Sequence, residues 1–500
     1  MDFGVEIKIR YNSNMISIFK KFLNSFMEKP DIWFFYAFVA TSTLSVRKVI
    51  FYYSINNTFN EYTGVYLYLS DIFLFLTIFA WFFILCNKNS ILSIINRTYQ
   101  QVVHNYNLIF PLLLVIFSFT SILWSENHQI ALFRSIKILE FVMLYFFILY
   151  HVPRLPRSRE MFHVEHFSCF WGGTFLKRVL QIIIATSIIQ SIVGIIQFFI
   201  QHSMGLLWLK ESIISPNIPG VAKLIFNGHV YIRSYGLFPH PNILGGFLVF
   251  SIISTLLYIK MFRSRDITIK CSTWNIIIRL ILLIQGLALL LTFSKSAIIG
   301  LFIGLLYLYI TKCSTWNIFS IFNLKRHFYK KMFLFGSIII LTSFILKPDM
   351  YSLLFKSLQE RIFYLNVSRG TFLSHPLIGI GLGQFVVNMQ DIPNIQSWQY
   401  QPVHNVFLLI LNEFGIVMFF MFLYFIYKMF RPGTNVPRGT FYGAGVEHYT
   451  RAVNIYFKAA LISFVFIMLF DHYFWDIQQG QILLWIVFGA IISEHYSQSL

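Results

Sequence analysis

Long apolar runs alternate with short basic segments along most of the chain. A helix needs about 20 mostly apolar residues to cross the hydrocarbon core of a bilayer. The pattern therefore predicts an all-α protein, a single polytopic bundle over residues 1–500 with no separate soluble domain. About twelve transmembrane helices are predicted near 32–46, 65–86, 108–124, 130–151, 179–200, 243–262, 276–292, 294–311, 332–347, 405–428, 455–474 and 478–494.

The basic residues predict how these helices are oriented. Lys and Arg cluster after every second predicted helix, for example within 153–178 and 312–331. Cytoplasmic loops of membrane proteins carry such an excess of positive charge. These loops and both termini are therefore predicted to be cytoplasmic, and the segments 201–242 and 348–404 become two long outer loops. Because long loops are uncommon unless they have a function, we expect the active face on the outer side.

Composition agrees with a membrane protein and excludes some other classes. Hydrophobic residues make up 57% of the chain and charged residues 12%, and the net charge is +19. The positive charge lies in short clusters between apolar runs, which indicates orientation in a membrane and not nucleic-acid binding. The four cysteines have no C-x-x-C spacing, so they predict neither a redox pair nor a metal site. No cleavable signal is expected, and the first helix should serve as an uncleaved signal.

Four short peptide strings in the chain can be back-translated to one DNA sequence. They are MFHVEH at 161–166, CSTWNI at 271–276 and 313–318, and NVPRGT at 435–440. The palindrome ATGTTCCACGTGGAACAT encodes the core of each string in one of its three reading frames. We infer that copies of this element entered the gene. All four lie in predicted cytoplasmic loops, and insertions survive best in exposed loops away from function. The repeats therefore favour an active site on the opposite face and should be dispensable.

The predicted outer loops contain several compact motifs. They are RSYGLFPHPN at 233–242, LTFSKS at 291–296, HPLIGIGLGQF at 375–385, VHN at 403–405 and DHYFWDIQQG at 471–480. In their order, spacing and shared face these motifs resemble the O-antigen ligase and O-antigen polymerase superfamily, most strongly from 233 to 415. Two positions depart from the family pattern. Lys295 stands where the family usually has Arg, and a second glycine is missing after Gly415, which leaves ligase and polymerase both open.

The resemblance implies a membrane enzyme of the plasma (inner) membrane with its active face outward. It implies transfer of an oligosaccharide from a polyprenyl-pyrophosphate carrier to a hydroxyl of a glycan, lipid or protein acceptor. It also implies a metal-independent reaction without a cofactor, and the predicted outer loops contain no D-x-D pair. No nucleic-acid partner is expected.

The resemblance and the chemistry favour the same catalytic residues. A pyrophosphate leaving group needs fixed positive charge, for which arginine is well suited. Arg233 and Arg361 are the candidates, and Lys295 should assist them. An acceptor hydroxyl needs a base, and histidine is the most common one. His404, at the start of a predicted helix, is the candidate, although it could instead only cap that helix.

A second set of residues is predicted to bind substrate. It contains Lys295, Ser294, His240, His375 and Asn405. The two histidines precede prolines, so they could instead be structural turn residues.

Further predictions concern the last outer turn and three aromatic residues. Asp471 and His472 are expected to hydrogen-bond helix ends instead of reacting. Trp398, Tyr400 and Trp475 lie in the predicted outer segments, where a glycan could stack on an aromatic ring.

Three charged residues recur within the fourth predicted helix. Arg134, Lys137 and Glu140 are three residues apart, so they lie near one face. A charge at mid-bilayer costs about 3 kcal/mol or more, and these side chains should therefore face the bundle. Mutual pairing and a role near the phosphates of the carrier remain equally open.

The sequence leaves some functions other than glycan ligation open and argues against others. A polymerase or a protein O-oligosaccharyltransferase would use the same chemistry, and no motif here encodes the acceptor. A transporter often has inverted repeats and helices broken at mid-membrane, and no such pairing is evident in the sequence. A scaffold protein would not need Arg and His concentrated in two long loops. Neighbouring genes for a flippase and glycosyltransferases would favour the enzyme.

Overall fold

The computed structural model describes residues 23–87, 106–152, 168–226, 228–262, 272–311, 348–393, 395–431 and 444–497. Within these ranges the chain is mainly helical, as predicted. The helices are α1 Pro30–Thr41, α2 Leu69–Asn87, α3 Tyr106–Thr120, α4 His128–His151, α5 Ser168–Ile200, α6 Pro241–Phe262, α7 Ser272–Leu291, α8 Lys295–Ile310, α9 Pro348–Ser374, α10 Phe385–Asn388, α11 Val406–Phe430, α12 Ala444–Met468, α13 Tyr473–Asp476 and α14 Gln478–Ser497. The strands are β1 Arg47–Tyr52, β2 Gly64–Tyr68, β3 Lys223–Phe226 and β4 His229–Ile232.

Nearly all the predicted membrane helices coincide with helices of the structure. Six described helices are long and apolar enough to cross a membrane, namely those containing Leu69–Cys86, Tyr106–Leu123, Phe175–Ile200, Pro241–Met261, Val406–Phe430 and Arg451–Met468. Shorter apolar helices cover Ile276–Leu291, Lys295–Ile310 and Gln478–Ser493. The predicted helix 332–347 lies outside the described residues, as do most of the basic segments on which the orientation was based.

The first half of the predicted outer loop 348–404 is helical. Pro348–Ser374 forms the 27-residue helix α9. Its buried face carries Tyr364, Ser368 and Thr371, spaced by about one turn, whereas Ile362 and Leu365 are exposed. Because the buried positions are polar or small, the segment contains no continuous apolar run that would mark a helix. Arg361 therefore lies on a helix and not in a loop.

Two antiparallel hairpins interrupt the helical pattern. β1 pairs with β2 and β3 pairs with β4. The second predicted membrane helix thus begins at Leu69 and not at 65, because the preceding residues form β2. In the first hairpin Arg47 forms an ion pair with Glu61 and lies 4.3 Å from the ring centroid of Tyr66. Arg47 departs from the predicted pattern, in which basic residues mark the cytoplasmic side. Its ion pair with Glu61 accounts for this exception.

Close packing of α8 against α12 positions the start of α8 and the end of α12. A Cβ on Gly300 would lie 3.0 Å from the Ser463 carbonyl oxygen, and a Cβ on Gly304 would lie 2.9 Å from the Ala459 carbonyl oxygen. Small residues allow such close helix contacts inside membranes. Since later residues of α8 meet earlier residues of α12, the two helices are antiparallel. The start of α8 at Lys295 is therefore placed beside the turn that follows α12.

One of the four palindromic strings lies partly within the described residues. α7 begins at Ser272, so the copy at 271–276 supplies the first residues of a helix instead of only a loop. The copies at 161–166, 313–318 and 435–440 lie outside the described residues. Dispensability is thus a prediction for those three copies, whereas removal of 272–276 would shorten α7.

Candidate active site

The glycine-rich segment 375–385 docks on a break in α11. Gly415 has φ 74° and ψ −177°, which interrupts the helix. At this break the backbone N–H of Ile380 donates to the Asn412 carbonyl at 3.0 Å, and that of Ile416 donates to the Pro376 carbonyl at 2.9 Å. The carbonyls that lose their helical partner at the break therefore accept hydrogen bonds from the glycine-rich segment. Buried backbone groups need such partners.

Glycine is required in this segment for two physical reasons. Gly379, Gly381 and Gly383 all have positive φ angles, between 68° and 98°, which side chains rarely adopt. A Cβ on Gly379 would also lie 2.6 Å from the Asn412 carbonyl oxygen, and one on Gly383 would lie 2.7 Å from the Arg134 Cγ. The motif HPLIGIGLGQF thus acts as a scaffold that packs against the break in α11, and it brings no charged group to the site.

Arg233 is held by two neighbouring segments. Its Nε donates to the Thr292 carbonyl at 2.6 Å, and its Nη2 donates to Asn242 Oδ1 at 2.6 Å. Asn242 Nδ2 in turn donates to Asp471 Oδ2 at 2.7 Å. These bonds join the motif 233–242, the turn before α8 and the turn after α12. Burial lowers the pKa of Arg233 to about 10, so the guanidinium stays charged at neutral pH.

Asp471, His472 and Asp476 form a charged cluster in the last turn. His472 Nδ1 lies 2.8 Å from Asp476 Oδ2, and the His472 backbone N–H donates to Asp471 Oδ1 at 2.9 Å. Burial opposes protonation of His472, but the two carboxylates outweigh it and raise its pKa. Burial also disfavours the Asp471 carboxylate, yet the neighbouring His472 and His404 lower its pKa. The surroundings therefore favour the protonated form of His472 and the ionised form of Asp471.

His404 lies beside this cluster at the start of α11. Its ring centroid is 5.2 Å from that of His472 and 5.5 Å from that of Tyr364. Burial, followed by the positive charge of His472, lowers the pKa of His404 to about 4. No hydrogen bond ties its ring to another residue in the described parts of the chain. His404 is thus a neutral imidazole at neutral pH with a free lone pair.

Lys295 and Arg361 bring two further positive charges to the same place. Both side chains are largely exposed. Lys295 interacts electrostatically with Arg361 and with Arg233, and Arg361 interacts with His404. The Arg361 guanidinium lies 5.8 Å from the ring centroid of Phe470. Neither cation has a carboxylate partner among the described residues, so an anion could bind between them.

Three residues of the predicted substrate-binding set lie near these groups in structural roles. His240 Nδ1 accepts the backbone N–H of Asn242 at 3.2 Å, and burial lowers its pKa to about 3. Asn405 caps α11 through the Leu408 N–H and donates to the Leu469 carbonyl at 3.1 Å. Ser294 is buried at the N-terminus of α8. Substrate contact by these three stays a prediction.

His375 is not brought to the same place. It follows α9, 14 residues beyond Arg361, which corresponds to about 21 Å along a helix. Its Nδ1 lies 3.0 Å from Ser374 Oγ. No contact joins His375 to Arg361 or His404 within the described ranges. The substrate-binding role predicted for His375 therefore has no geometric support.

Among the aromatic candidates, Trp398 alone has a largely exposed ring. Tyr400 is buried and its hydroxyl accepts from Asn56. Trp475 is also buried, and its indole N–H donates to Glu413 Oε2 at 2.9 Å. Stacking of a sugar on Tyr400 or Trp475 would therefore require rearrangement, whereas the Trp398 side chain is exposed.

The charged residues of α4 divide into two arrangements. Lys137 pairs with Glu140 at 2.9 Å and with Asp71 of α2, which the sequence did not indicate. Mutual pairing is thus confirmed for Lys137 and Glu140. Arg134 instead donates to the Asp476 carbonyl at 2.6 Å and the Tyr62 carbonyl at 3.0 Å. Arg134 therefore supports the turn behind His472.

The fold and the site together define a polytopic helical membrane protein with a cationic cluster beside a neutral histidine. Residues 280–423 match the family model described as O-antigen ligase. The match covers α8, α9 and most of α11, including Lys295, Arg361 and His404. It confirms the resemblance to the O-antigen ligase superfamily and supports a ligase-like function in glycan transfer. No curated protein matches the chain.

Proposed function

We propose that this protein transfers an oligosaccharide from a polyprenyl-pyrophosphate carrier to an acceptor hydroxyl at the outer face of the membrane. The observation that carries the proposal is the pair Lys295 and Arg361, two cations without a carboxylate partner among the described residues, beside the neutral ring of His404. The family match lends independent support, because it spans all three residues. Ligase and polymerase differ in the acceptor, and both fit this site.

The reaction is a displacement at the anomeric carbon of the donor sugar. His404 accepts the proton of the acceptor hydroxyl, and the acceptor oxygen forms a bond to the anomeric carbon. The bond from that carbon to the phosphate oxygen breaks, and its electron pair leaves with the pyrophosphate. Arg361, Arg233 and Lys295 stabilise the negative charge that develops there. Fixed cations supply this stabilisation, so the proposed reaction needs no metal ion.

The neutral state of His404 suits a base. A histidine with an ordinary pKa near 6.5 is partly protonated at neutral pH. The lowered pKa of His404 keeps its lone pair available. After burial, the next cause of the low pKa of His404 is electrostatic repulsion from His472. After transfer, the proton on His404 is readily released, because the same surroundings disfavour the charged ring.

Replacement of Lys295 tests whether its charge serves the leaving group. Lys295→Arg keeps a positive charge, and we expect glycan transfer close to that of the wild type. Lys295→Met keeps the length and apolar stem but removes the charge, so transfer should fall by about 10²–10³-fold. The measurement is formation of glycosylated product in membranes that contain the lipid-linked donor, normalised to the amount of inserted protein.

The two Lys295 variants differ in charge, so the charged variant Lys295→Arg serves as the control for the neutral variant Lys295→Met. Equal activity of Lys295→Met and wild type would remove Lys295 from the anion site. Equal loss in both variants would show that the ammonium geometry matters and not only its charge.

A further inference from the structure

Three side chains at the centre of the site provide a set of metal ligands. One ligand atom from each of His404, Asp471 and His472 lies within 4.8 Å of the others. Two imidazoles and a carboxylate, with one position left open, are a ligand set that protein zinc sites use. Zinc bonds of ~2.0 Å place tetrahedral ligand atoms roughly 3.3 Å apart. The separation of up to 4.8 Å is longer than this spacing. A movement of the His404 ring would shorten it, because no hydrogen bond within the described residues restrains the ring.

Two of the three ligands are already oriented by neighbouring groups. His472 Nδ1 bonds the Asp476 carboxylate at 2.8 Å, which leaves Nε2 to face an ion. This is the carboxylate–histidine arrangement that commonly supports a metal-bound imidazole. Asp471 is oriented by Asn242 and by the backbone N–H of His472. Both carboxylate oxygens can still coordinate an ion, because each oxygen has two lone pairs. The cluster therefore has ligands and supporting partners.

We propose that His404, Asp471 and His472 bind a divalent transition-metal ion such as Zn²⁺, and that the bound ion inhibits glycan transfer. The ion would occupy the lone pair of His404 that otherwise accepts the acceptor proton. The inhibitory part rests on the proposed function, whereas the metal site rests on geometry alone. Inhibition of this kind is compatible with a reaction that itself needs no metal.

The surrounding charge explains why such an ion would be an inhibitor and not a resident cofactor. Arg361 and Arg233 lie within electrostatic range of His404 or of Asp471. The positive charges of these two arginines repel a metal cation, and the repulsion is stronger where water is partly excluded. The two carboxylates, Asp471 and Asp476, offset this repulsion only in part. We therefore expect reversible occupancy that a chelator removes.

The first test measures metal binding without reference to activity. Co²⁺ in a tetrahedral site absorbs visible light through its d electrons, and Zn²⁺, which has a filled d shell, should displace it and abolish the absorption. Purified full-length protein in detergent is titrated with Co²⁺ and then with Zn²⁺. Asp471→Asn removes a charged ligand but keeps an oxygen that accepts from Asn242, and it should weaken Co²⁺ binding by at least about 10-fold.

The matched control is His229→Ala, which removes an exposed histidine of the hairpin β3–β4. It should leave the Co²⁺ titration unchanged. Absence of a tetrahedral spectrum in the wild type, or equal affinities in Asp471→Asn and His229→Ala, would overturn the site. The second test adds Zn²⁺ to the transfer assay, where inhibition and its reversal by EDTA are expected.

The two tests separate the metal site from the function. A Co²⁺ spectrum that depends on Asp471, together with transfer unaffected by saturating Zn²⁺, would overturn the inhibitory part of the inference. The same spectrum in a protein that transfers no glycan even with EDTA would support the site and count against the proposed function.

Discussion

His404→Ala should reduce glycan transfer by about 10²–10⁴-fold while the protein stays inserted and folded, because it removes the proposed base. The His404 ring is held mainly by contacts with Tyr364 and His472 and has no hydrogen bond within the described residues, so its loss should leave the helix packing intact. The measurement is kcat/KM for transfer by protein purified in detergent, with size-exclusion chromatography to confirm folding.

The control for this variant is His202→Ala. His202 is an exposed histidine that follows α5, and its Nδ1 lies 2.7 Å from the Ser203 carbonyl. This variant should transfer glycan at the wild-type rate. Transfer within a few-fold of wild type in His404→Ala would remove His404 from the mechanism.

The pH dependence of the wild type provides a second readout for His404. A base must be unprotonated, and the pKa of His404 is lowered to about 4. Activity should therefore persist as pH falls through 6.5, where a histidine of ordinary pKa near 6.5 becomes protonated, and should decline only nearer pH 4. An acid limb of kcat/KM at the ordinary histidine value would contradict this environment of His404.

Arg361→Ala should reduce transfer by about 10²–10³-fold, because it removes a charge that stabilises the leaving pyrophosphate. Arg361 is exposed on α9, and no ion pair of its side chain is found within the described ranges. Its loss should therefore affect the reaction much more than the stability of the fold. Arg233→Ala should cause a similar loss of transfer, but it should also loosen the turn at Thr292, to which Arg233 donates.

The matched control for Arg361 is Arg369→Ala on the same helix. Arg369 is also exposed, and its side chain contacts none of the described site residues. Unchanged transfer in Arg369→Ala with a large loss in Arg361→Ala would separate a specific charge from the general positive charge of α9. Similar activities of the two variants would contradict the assignment of Arg361 to the leaving group.

Hydrophobic runs predicted most of the fold, and the exceptions have physical reasons. α6 contains the long, mostly apolar run Pro241–Met261, so its sequence marks it as a membrane helix. α9 was missed because its buried face uses Tyr364, Ser368 and Thr371 instead of aliphatic residues. The sequence does not separate β2 from α2, because Gly64–Tyr68 contains no charged residue and leads directly into the apolar run of α2.

The candidate site was predicted less completely than the fold. Arg233, Lys295 and His404 were identified from motifs, and the structure brings them together with Arg361. The connections between them were not predictable, because Asn242 and Asp471 meet only through the packing of α6 and α12. The D-H-x-x-x-D spacing of Asp471, His472 and Asp476 was the one sequence signal for the cluster, and it was interpreted as helix-end bonding. His375 belongs to a motif that resembles the family, but this motif forms the scaffold segment and not the charged cluster.

Reconstitution with purified components tests the central claim most directly. The wild-type protein in detergent is mixed with a synthetic polyprenyl-pyrophosphate oligosaccharide and a lipid-anchored saccharide acceptor, in the presence of EDTA. Our account predicts glycosylated acceptor and free polyprenyl pyrophosphate in equal amounts, and formation of both about 10²–10⁴-fold more slowly with His404→Ala. Equal product formation by wild type and His404→Ala would contradict this account. In a further assay, a second donor molecule is offered as the acceptor. A donor that stays intact with both acceptors, while the wild-type protein is folded, would also contradict the account.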